Sequence, residues 1–234
     1  MNDIQLYERA ITLRLLRLVM LLSSAIVFGS CAKSNGEDVF NLGLLTVSTF
    51  PSDTSDMEPE QAIEYYGSLY STNPKSKKNA LLYAAALREG GQKARAVSVL
   101  RTASAYHAKD LEFLSAYGRT TLDNDETNAA IKILAKADDP KHPDWRTVSA
   151  RGTAYAKLGR YQDASQQFER ALKLAPQNPS VMNNLAMAKA ANGDLKLAEA
   201  LLRKASQMPI IDPKVKQNLG LVLRLQGRTI TEEK

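Results

Sequence analysis

Alanine recurs at a fixed interval of 34 residues along most of the chain, at Ala62, Ala96, Ala130, Ala164 and Ala198. A repeat of this length has the size of one helix–turn–helix unit in a stacked array. Alanine is expected where two helices cross too closely for a larger side chain. The interval therefore predicts an all-α solenoid of antiparallel helix pairs, a class of protein that mostly works by binding other proteins.

Other positions keep the same phase as the alanines. Residues four and seven places after each alanine are mostly apolar and would lie on one helical face with it: Tyr66, Leu100, Leu134, Phe168 and Leu202, then Leu69, Ala103, Ala137, Ala171 and Ala205. Five places before four of the alanines the chain has a residue that tolerates a left-handed backbone: Gly91, Asp125, Gly159 and Gly193. Gly227 follows Gly193 at the same interval of 34 residues. Each repeat thus reads as a helix A, a tight turn and a helix B. The alternative, a non-repetitive bundle with chance alanines, does not account for the in-phase partners.

The clearest repeat spans 145–178 and has residues in an order and spacing that resemble the tetratricopeptide repeat (TPR) family: Gly152, Tyr155, Gly159, Tyr161, Ala164, Phe168, Ala171 and Pro176. The resemblance implies a right-handed superhelix with four full repeats over 77–212. A half repeat precedes them from residue 59, and a terminal helix at 213–226 completes a TPR domain of 59–226. Residues 227–234 form a short tail.

The N-terminus predicts export from the cytoplasm. Arg9, Arg14 and Arg17 precede an apolar run at 18–28, which is the layout of a signal peptide over 1–30. The run is too short to span a bilayer as a helix. It leads to Cys31, the only cysteine of the chain, so no intramolecular disulfide is possible.

The surroundings of Cys31 resemble the lipobox of bacterial lipoproteins, with Phe28 where the lipobox usually has leucine. The resemblance implies lipidation of Cys31 and anchoring through acyl chains. Ala32 in place of aspartate at the next position implies an outer-membrane lipoprotein that faces the periplasm. An ordinary buried cysteine and an uncleaved membrane anchor remain the alternatives.

Residues 31–58 then form a polar, loop-rich tether that lets the repeats stand off the membrane. One piece of the tether, 39–47, is apolar. It is expected either to cover the first helix of the array or to dock on a partner.

Composition and motifs exclude several function classes. The net charge of +6 is spread over many helices, without the basic stripe and stacking aromatics of a nucleic-acid binder. The sequence lacks the usual signatures of metal, phosphate and dinucleotide sites. His107 and His142, the two histidines, fall near repeat boundaries. We therefore expect a protein that is not an enzyme and has no cofactor, metal or small-molecule substrate.

The TPR resemblance also implies a concave groove lined by the A helices, which holds an extended peptide or a partner helix. The family's groove positions fall on Arg119, Arg146, Ser149, Thr153, Lys157, Asn183, Asn184, Met187, Gln217 and Asn218, with Ser115 and Asp123 as further candidates. Such polar side chains can donate to and accept from an extended backbone. The family's carboxylate-clamp pattern is not matched, so capture of a C-terminal peptide is not expected.

A lipobox-like signal followed by a short TPR array resembles the TPR lipoproteins that help to assemble secretion and pilus machines, above all those of tight-adherence (Flp) pili. The resemblance implies a secretin or another pilus-assembly subunit as the partner. A scaffold for another envelope machine, such as type IV pili, outer-membrane protein assembly or cell-wall assembly, would have the same fold and anchor.

Overall fold

The computed structural model describes residues 57–208 and 213–228. The predictions made for the signal peptide, for Cys31, for the apolar segment 39–47 and for nearly all of the tether lie outside these residues. The described residues are helical and contain no strand, so the all-α prediction is confirmed for them.

Ten helices make up the described part of the chain, and they alternate between the B and A positions of the repeat. The first is a lone helix B, and the last is a lone helix A. Their bounds are α1 Pro59–Thr72, α2 Lys77–Glu89, α3 Lys93–His107, α4 Leu111–Asp123, α5 Thr127–Ala137, α6 Trp145–Lys157, α7 Tyr161–Leu174, α8 Pro179–Ala191, α9 Leu195–Ser206 and α10 Pro213–Leu225.

The A helices start at the five residues where the repeats were predicted to begin. Four of them have the same kind of N-cap, a side-chain oxygen that accepts a hydrogen bond from a backbone N–H of the first turn. These caps are Ser76, Asp110, Asp144 and Asn178, again 34 residues apart. The cap therefore fixes the start of helix A in each repeat.

The turns between helix A and helix B have the predicted left-handed backbone at all five positions. The φ angle is positive at the four glycines, and Asp125 at 61° is the one non-glycine residue with positive φ among the described residues. Because only glycine adopts this conformation without steric cost, the glycines explain how the two helices of a pair turn back so tightly.

The described residues divide into two compact bodies, an N-terminal body (57–158) with α1 to α6 and a C-terminal body (159–228) with α7 to α10. The five alanines of the 34-residue interval are all buried, and so are the five residues four places after them. Among the residues seven places after, Leu69 alone is exposed, and it lies on α1, the first described helix.

Within each body, helices next to each other in sequence pack together. The A helices also contact one another, α2 with α4, α4 with α6, and α8 with α10, whereas successive B helices hardly touch. The A helices therefore lie on the inner, more closely spaced side of each body. We call the surface of α2, α4 and α6 the N-terminal inner face, and that of α8 and α10 the C-terminal inner face.

Gly118 marks a close crossing of α4 and α5 in the N-terminal body. A Cβ added there would lie 2.6 Å from Leu134 Cγ and 3.2 Å from Leu134 N. The absence of a side chain at Gly118 lets the backbone of α4 come close to Leu134 of α5. Small residues of helix A therefore contribute to close helix packing, as the alanines of helix B do.

None of the helices in the described ranges is both long and apolar enough to cross a membrane.

Candidate functional site

Ion pairs join α2 to α4 on the N-terminal inner face. Lys77 Nζ lies 2.8 Å from both Asp110 Oδ2 and Glu112 Oε2, and Arg88 Nε donates a 2.8 Å hydrogen bond to Asp123 Oδ2. The partners are one repeat apart in sequence, with an offset of 33 or 35 residues. These contacts hold the two A helices in register. They also pair the carboxylate of Asp123, a predicted groove residue, with a cation of the chain itself.

The Lys77 pair shifts the titration of both partners. Burial raises the pKa of Asp110, but the hydrogen bonds from Lys77 Nζ and from the Phe113 amide more than offset this, so the pKa is lowered. The hydrogen bonds to the two carboxylates raise the pKa of Lys77. Both groups are thus held in their charged forms.

A hydroxyl chain joins α4 to α6. The hydroxyl oxygens of Ser115 and Thr147 are 2.6 Å apart, and Thr147 Oγ1 donates to Asp144 Oδ2 at 2.9 Å. Since the single hydroxyl proton of Thr147 goes to Asp144, Ser115 is the donor to Thr147. The same carboxylate caps α6 by accepting from the amides of Arg146 and Thr147.

Arg119 on α4 lies between these two networks. Its Nε donates a long hydrogen bond of 3.4 Å to the carbonyl of Ser115, and its Nη1 is buried without a hydrogen-bond partner. Burial lowers the pKa of Arg119, and Arg88 and Arg146 act in the same direction. Asp144 and Asp123 act in the opposite direction. The N-terminal inner face therefore contains a half-buried cation that forms no ion pair with any described carboxylate.

The other predicted groove residues of this body all lie on α6. Arg146 is partly exposed, 3.7 Å from Asp144 Oδ1 and stacked 4.7 Å from the centre of the Trp145 ring. Lys157 Nζ is paired with Asp125 Oδ1 at 2.8 Å. Ser149 and Thr153 are buried, and Thr153 Oγ1 donates to the Ser149 carbonyl at 3.2 Å.

The remaining five predicted groove residues lie on the C-terminal inner face. Asn183, Asn184 and Met187 on α8 and Asn218 on α10 are buried, while Gln217 is exposed. Asn218 Nδ2 donates a 2.8 Å hydrogen bond to Asn183 Oδ1, and Asn183 Nδ2 lies 3.5 Å from Asn184 Oδ1. The amides therefore bond to each other between the two A helices.

Six of the ten predicted groove residues are thus buried: Ser149, Thr153, Asn183, Asn184, Met187 and Asn218. Their side chains are enclosed by the protein, and a partner would reach them only if their neighbours moved. Arg119, Arg146, Lys157 and Gln217 keep part of their surface open. Whether the ten form a binding site stays a prediction.

Sequence reasoning missed Arg88, Asp144 and Thr147. The signal for Arg88 was present, because an opposite charge stands 35 residues further on at Asp123. For Asp144, the 34-residue recurrence of capping side chains before helix A was a similar signal.

Both histidines contact neighbouring residues of the chain. His107 Nε2 is 3.0 Å from the Lys75 carbonyl, and His142 Nδ1 is 3.1 Å from Asp139 Oδ2. Within the described ranges, no group of three or more His, Cys, Asp or Glu side chains could hold a metal ion.

The terminal helix α10 packs through one apolar face. Val215, Val222 and Leu223 are buried, and Leu219 packs against the core of the C-terminal body. Leu221 and Leu225, which widen this face, are partly buried.

Comparisons with known proteins agree with this architecture. A family model described as tetratricopeptide repeat matches residues 149–209. No curated protein matches the chain. Among solved structures, that of PilW, described as a widely conserved type IV pilus biogenesis factor, is 20% identical, covers 72% of this chain and 79% of its own, and has a TM-score of 0.66.

Two further solved structures have comparable sequence identities and TM-scores. A thermophilic TPR protein in Thermus thermophilus is 19% identical, covers 71% of this chain and 91% of its own, and has a TM-score of 0.59. MamA from Desulfovibrio magneticus RS-1 is 19% identical over 64% of this chain and 84% of its own, with a TM-score of 0.57. At these identities the likeness establishes the fold. The chain therefore has the all-α fold of the tetratricopeptide-repeat proteins.

Proposed function

We propose that the chain is a membrane-anchored scaffold that binds a protein partner and thereby assists the assembly of a tight-adherence (Flp) pilus. In layout it resembles TadD, an assembly protein of that pilus. The observation that carries the proposal is the order of parts, in which a TPR fold follows a lipobox-like Cys31 and a polar tether. The partner is an outer-membrane secretin or another pilus-assembly subunit, met on the periplasmic side of the outer membrane.

The inner faces supply the contacts for such a partner. Arg146 and Lys157 present cations on the N-terminal inner face, and each is held in place by a carboxylate of the chain. Gln217 is an exposed polar residue of the C-terminal inner face. Side chains that are already positioned lose less conformational entropy on binding, which favours recognition of a short peptide or helix.

A scaffold for another envelope machine is the second candidate. The likeness to PilW, described as a type IV pilus biogenesis factor, favours it as the alternative. The mechanism of peptide capture would be the same, and only the partner would differ.

The anchor is tested by Cys31→Ser, with Ser30→Ala as the matched control. We expect the serine variant to lose labelling by radioactive palmitate and to move from the membrane fraction to the periplasm, because the acyl chains supply the membrane affinity. Ser30→Ala should keep both properties, since the preceding residue stays small. Unchanged labelling and fractionation of Cys31→Ser would refute the lipoprotein proposal.

The partner is tested by photo-crosslinking in the native host. A photoreactive amino acid at Arg146, on the N-terminal inner face, should form a crosslink that an antibody to the pilus secretin or to an assembly subunit detects. The same amino acid at Lys132, an exposed residue of α5, serves as the control and should not form it. Equal crosslinking at both positions, or none to any pilus protein, would contradict the proposal.

A further inference from the structure

Arg119 is the one arginine of the N-terminal inner face for which the described residues provide no carboxylate partner. Its Nη1 is buried and unbonded, and its Nε has only the 3.4 Å hydrogen bond to a carbonyl of its own helix. Arg151 also has a buried, unbonded nitrogen, but its Nη1 lies 2.8 Å from Asp138 Oδ2, so its charge is neutralised. A buried charge without a partner is costly to keep, and this calls for an explanation.

The carboxylates around Arg119 are already engaged. Arg119 interacts electrostatically with Asp123 and Asp144 and with the cations Arg88 and Arg146. Asp123 is bonded to Arg88. Asp144 accepts from two backbone amides and one hydroxyl and lies close to Arg146. Three guanidinium groups therefore face two carboxylates, which leaves one positive charge at Arg119.

We propose that Arg119 receives the carboxylate of an aspartate or glutamate side chain from a peptide that lies across α2, α4 and α6. This inference rests on the proposed function, since it assumes that the N-terminal inner face binds a peptide, and it names the chemistry of that peptide. A carboxylate carries one negative charge and matches the one left over, whereas a phosphate at neutral pH carries more. A guanidinium donates parallel hydrogen bonds to a carboxylate in good geometry. Nη1 is buried, but Arg119 as a whole is half-buried, so part of its side chain stays open to an acidic side chain that arrives at the surface.

The test is a selection of random linear peptides of about 12 residues displayed on phage, long enough to cross three A helices at about 3.3 Å per residue. It is run in parallel on three forms of the full-length chain. These are the wild type, Arg119→Gln and the control Lys132→Gln, which loses the same charge from an exposed position on α5. We expect peptides selected by the wild type and by Lys132→Gln to share an acidic residue at one position, and peptides selected by Arg119→Gln to lack it. Circular dichroism of all three forms shows whether the helices are retained.

A synthetic peptide from the wild-type selection then gives the size of the effect. Replacing its shared acidic residue by the amide should weaken binding to the wild type by about tenfold or more, as expected for one charge-assisted hydrogen bond. The same replacement should leave binding to Arg119→Gln unchanged, because the two substitutions remove one interaction.

The failures of the two proposals are distinguishable. If the wild type selects peptides without an acidic preference, or if Arg119→Gln keeps that preference, this inference is wrong and peptide binding stands. If the wild type selects no peptide at all, the proposed function and this inference fall together.

Discussion

Asn218 on α10 donates a 2.8 Å hydrogen bond to Asn183 on α8, and both side chains are buried. The two residues are 35 positions apart, so the bond joins equivalent helices of successive repeats. A buried amide is costly unless it is bonded, and this bond gives a partner to the Nδ2 group of Asn218 and to the Oδ1 atom of Asn183. The pair therefore stabilises the stacking of α10 on α8, whether or not it also contributes to a binding surface.

We expect Asn183→Ala to lower the free energy of unfolding by about 1–3 kcal/mol, because it leaves the amide of Asn218 buried without this partner. Asn183→Ala combined with Asn218→Ala should cost less than the sum of the two single changes. Urea denaturation followed by circular dichroism measures all three values. Strictly additive costs would show that the hydrogen bond contributes nothing. Because of this loss of stability, weaker partner binding by Asn183→Ala would not by itself show that Asn183 contacts the partner.

The sequence predicted the fold in detail because each repeat uses the same helix–helix contacts, so the same residue types recur at the same positions. The interval of the alanines, with the glycines before them, placed the start of every A helix and the left-handed turns. On the first described helix, Leu69 departs from the pattern, since it is exposed where its counterparts in the later repeats are buried.

The candidate site was less predictable. The exposure of a polar residue on an A helix depends on the distance between neighbouring A helices. The 34-residue spacing in the sequence gives no information on that distance. Asn183 and Thr153 are buried for this reason. The state of Arg119 depends on how Asp123 and Asp144 divide their hydrogen bonds among other groups, which only the three-dimensional arrangement reveals.

Gly118→Ala should destabilise the protein by about 1–3 kcal/mol, since the added methyl group would overlap the side chain of Leu134. The matched test makes the same change in a Leu134→Ala background, where the two closest side-chain atoms are gone and the 3.2 Å contact with the backbone nitrogen of residue 134 remains. There, Gly118→Ala should cost clearly less, because alanine favours the helix by up to about 1 kcal/mol over glycine and offsets what is left of the overlap. Thermal or urea unfolding of the four forms measures the coupling. An equal loss in both backgrounds would mean that the contact with Leu134 is not the cause.

Glu199 should make stability depend on pH in the acid range. Hydrogen bonds from Arg203, and then from Gln226 and Arg228, lower the pKa of Glu199, although burial opposes them. A carboxyl whose pKa is lower in the folded state stabilises the protein above its unfolded pKa, about 4.3, and this contribution is lost as the pH falls through the folded pKa. The difference in unfolding free energy between the wild type and Glu199→Gln should therefore shrink as the pH is lowered from about 6 to about 3. Urea denaturation at several pH values measures it, and a difference that stays constant would contradict the assignment.

Arg119 and Arg88 should respond in opposite ways when each is replaced by methionine. Arg88→Met leaves Asp123 without the guanidinium that pairs with it, in a place where the two side chains are only 17% and 14% exposed, and should cost about 3 kcal/mol or more. Arg119→Met removes a half-buried charge that has no carboxylate partner. The change relieves its repulsion from Arg88 and Arg146 and gives up its attraction to Asp144 and Asp123. Its unfolding free energy should stay unchanged or rise by about 1 kcal/mol. Urea denaturation of both variants beside the wild type measures the contrast. A loss for Arg119→Met as large as that for Arg88→Met would show that the guanidinium serves the fold itself. A stable Arg119→Met variant would show that the protein keeps a group that its own stability does not need, as expected for a residue that serves recognition.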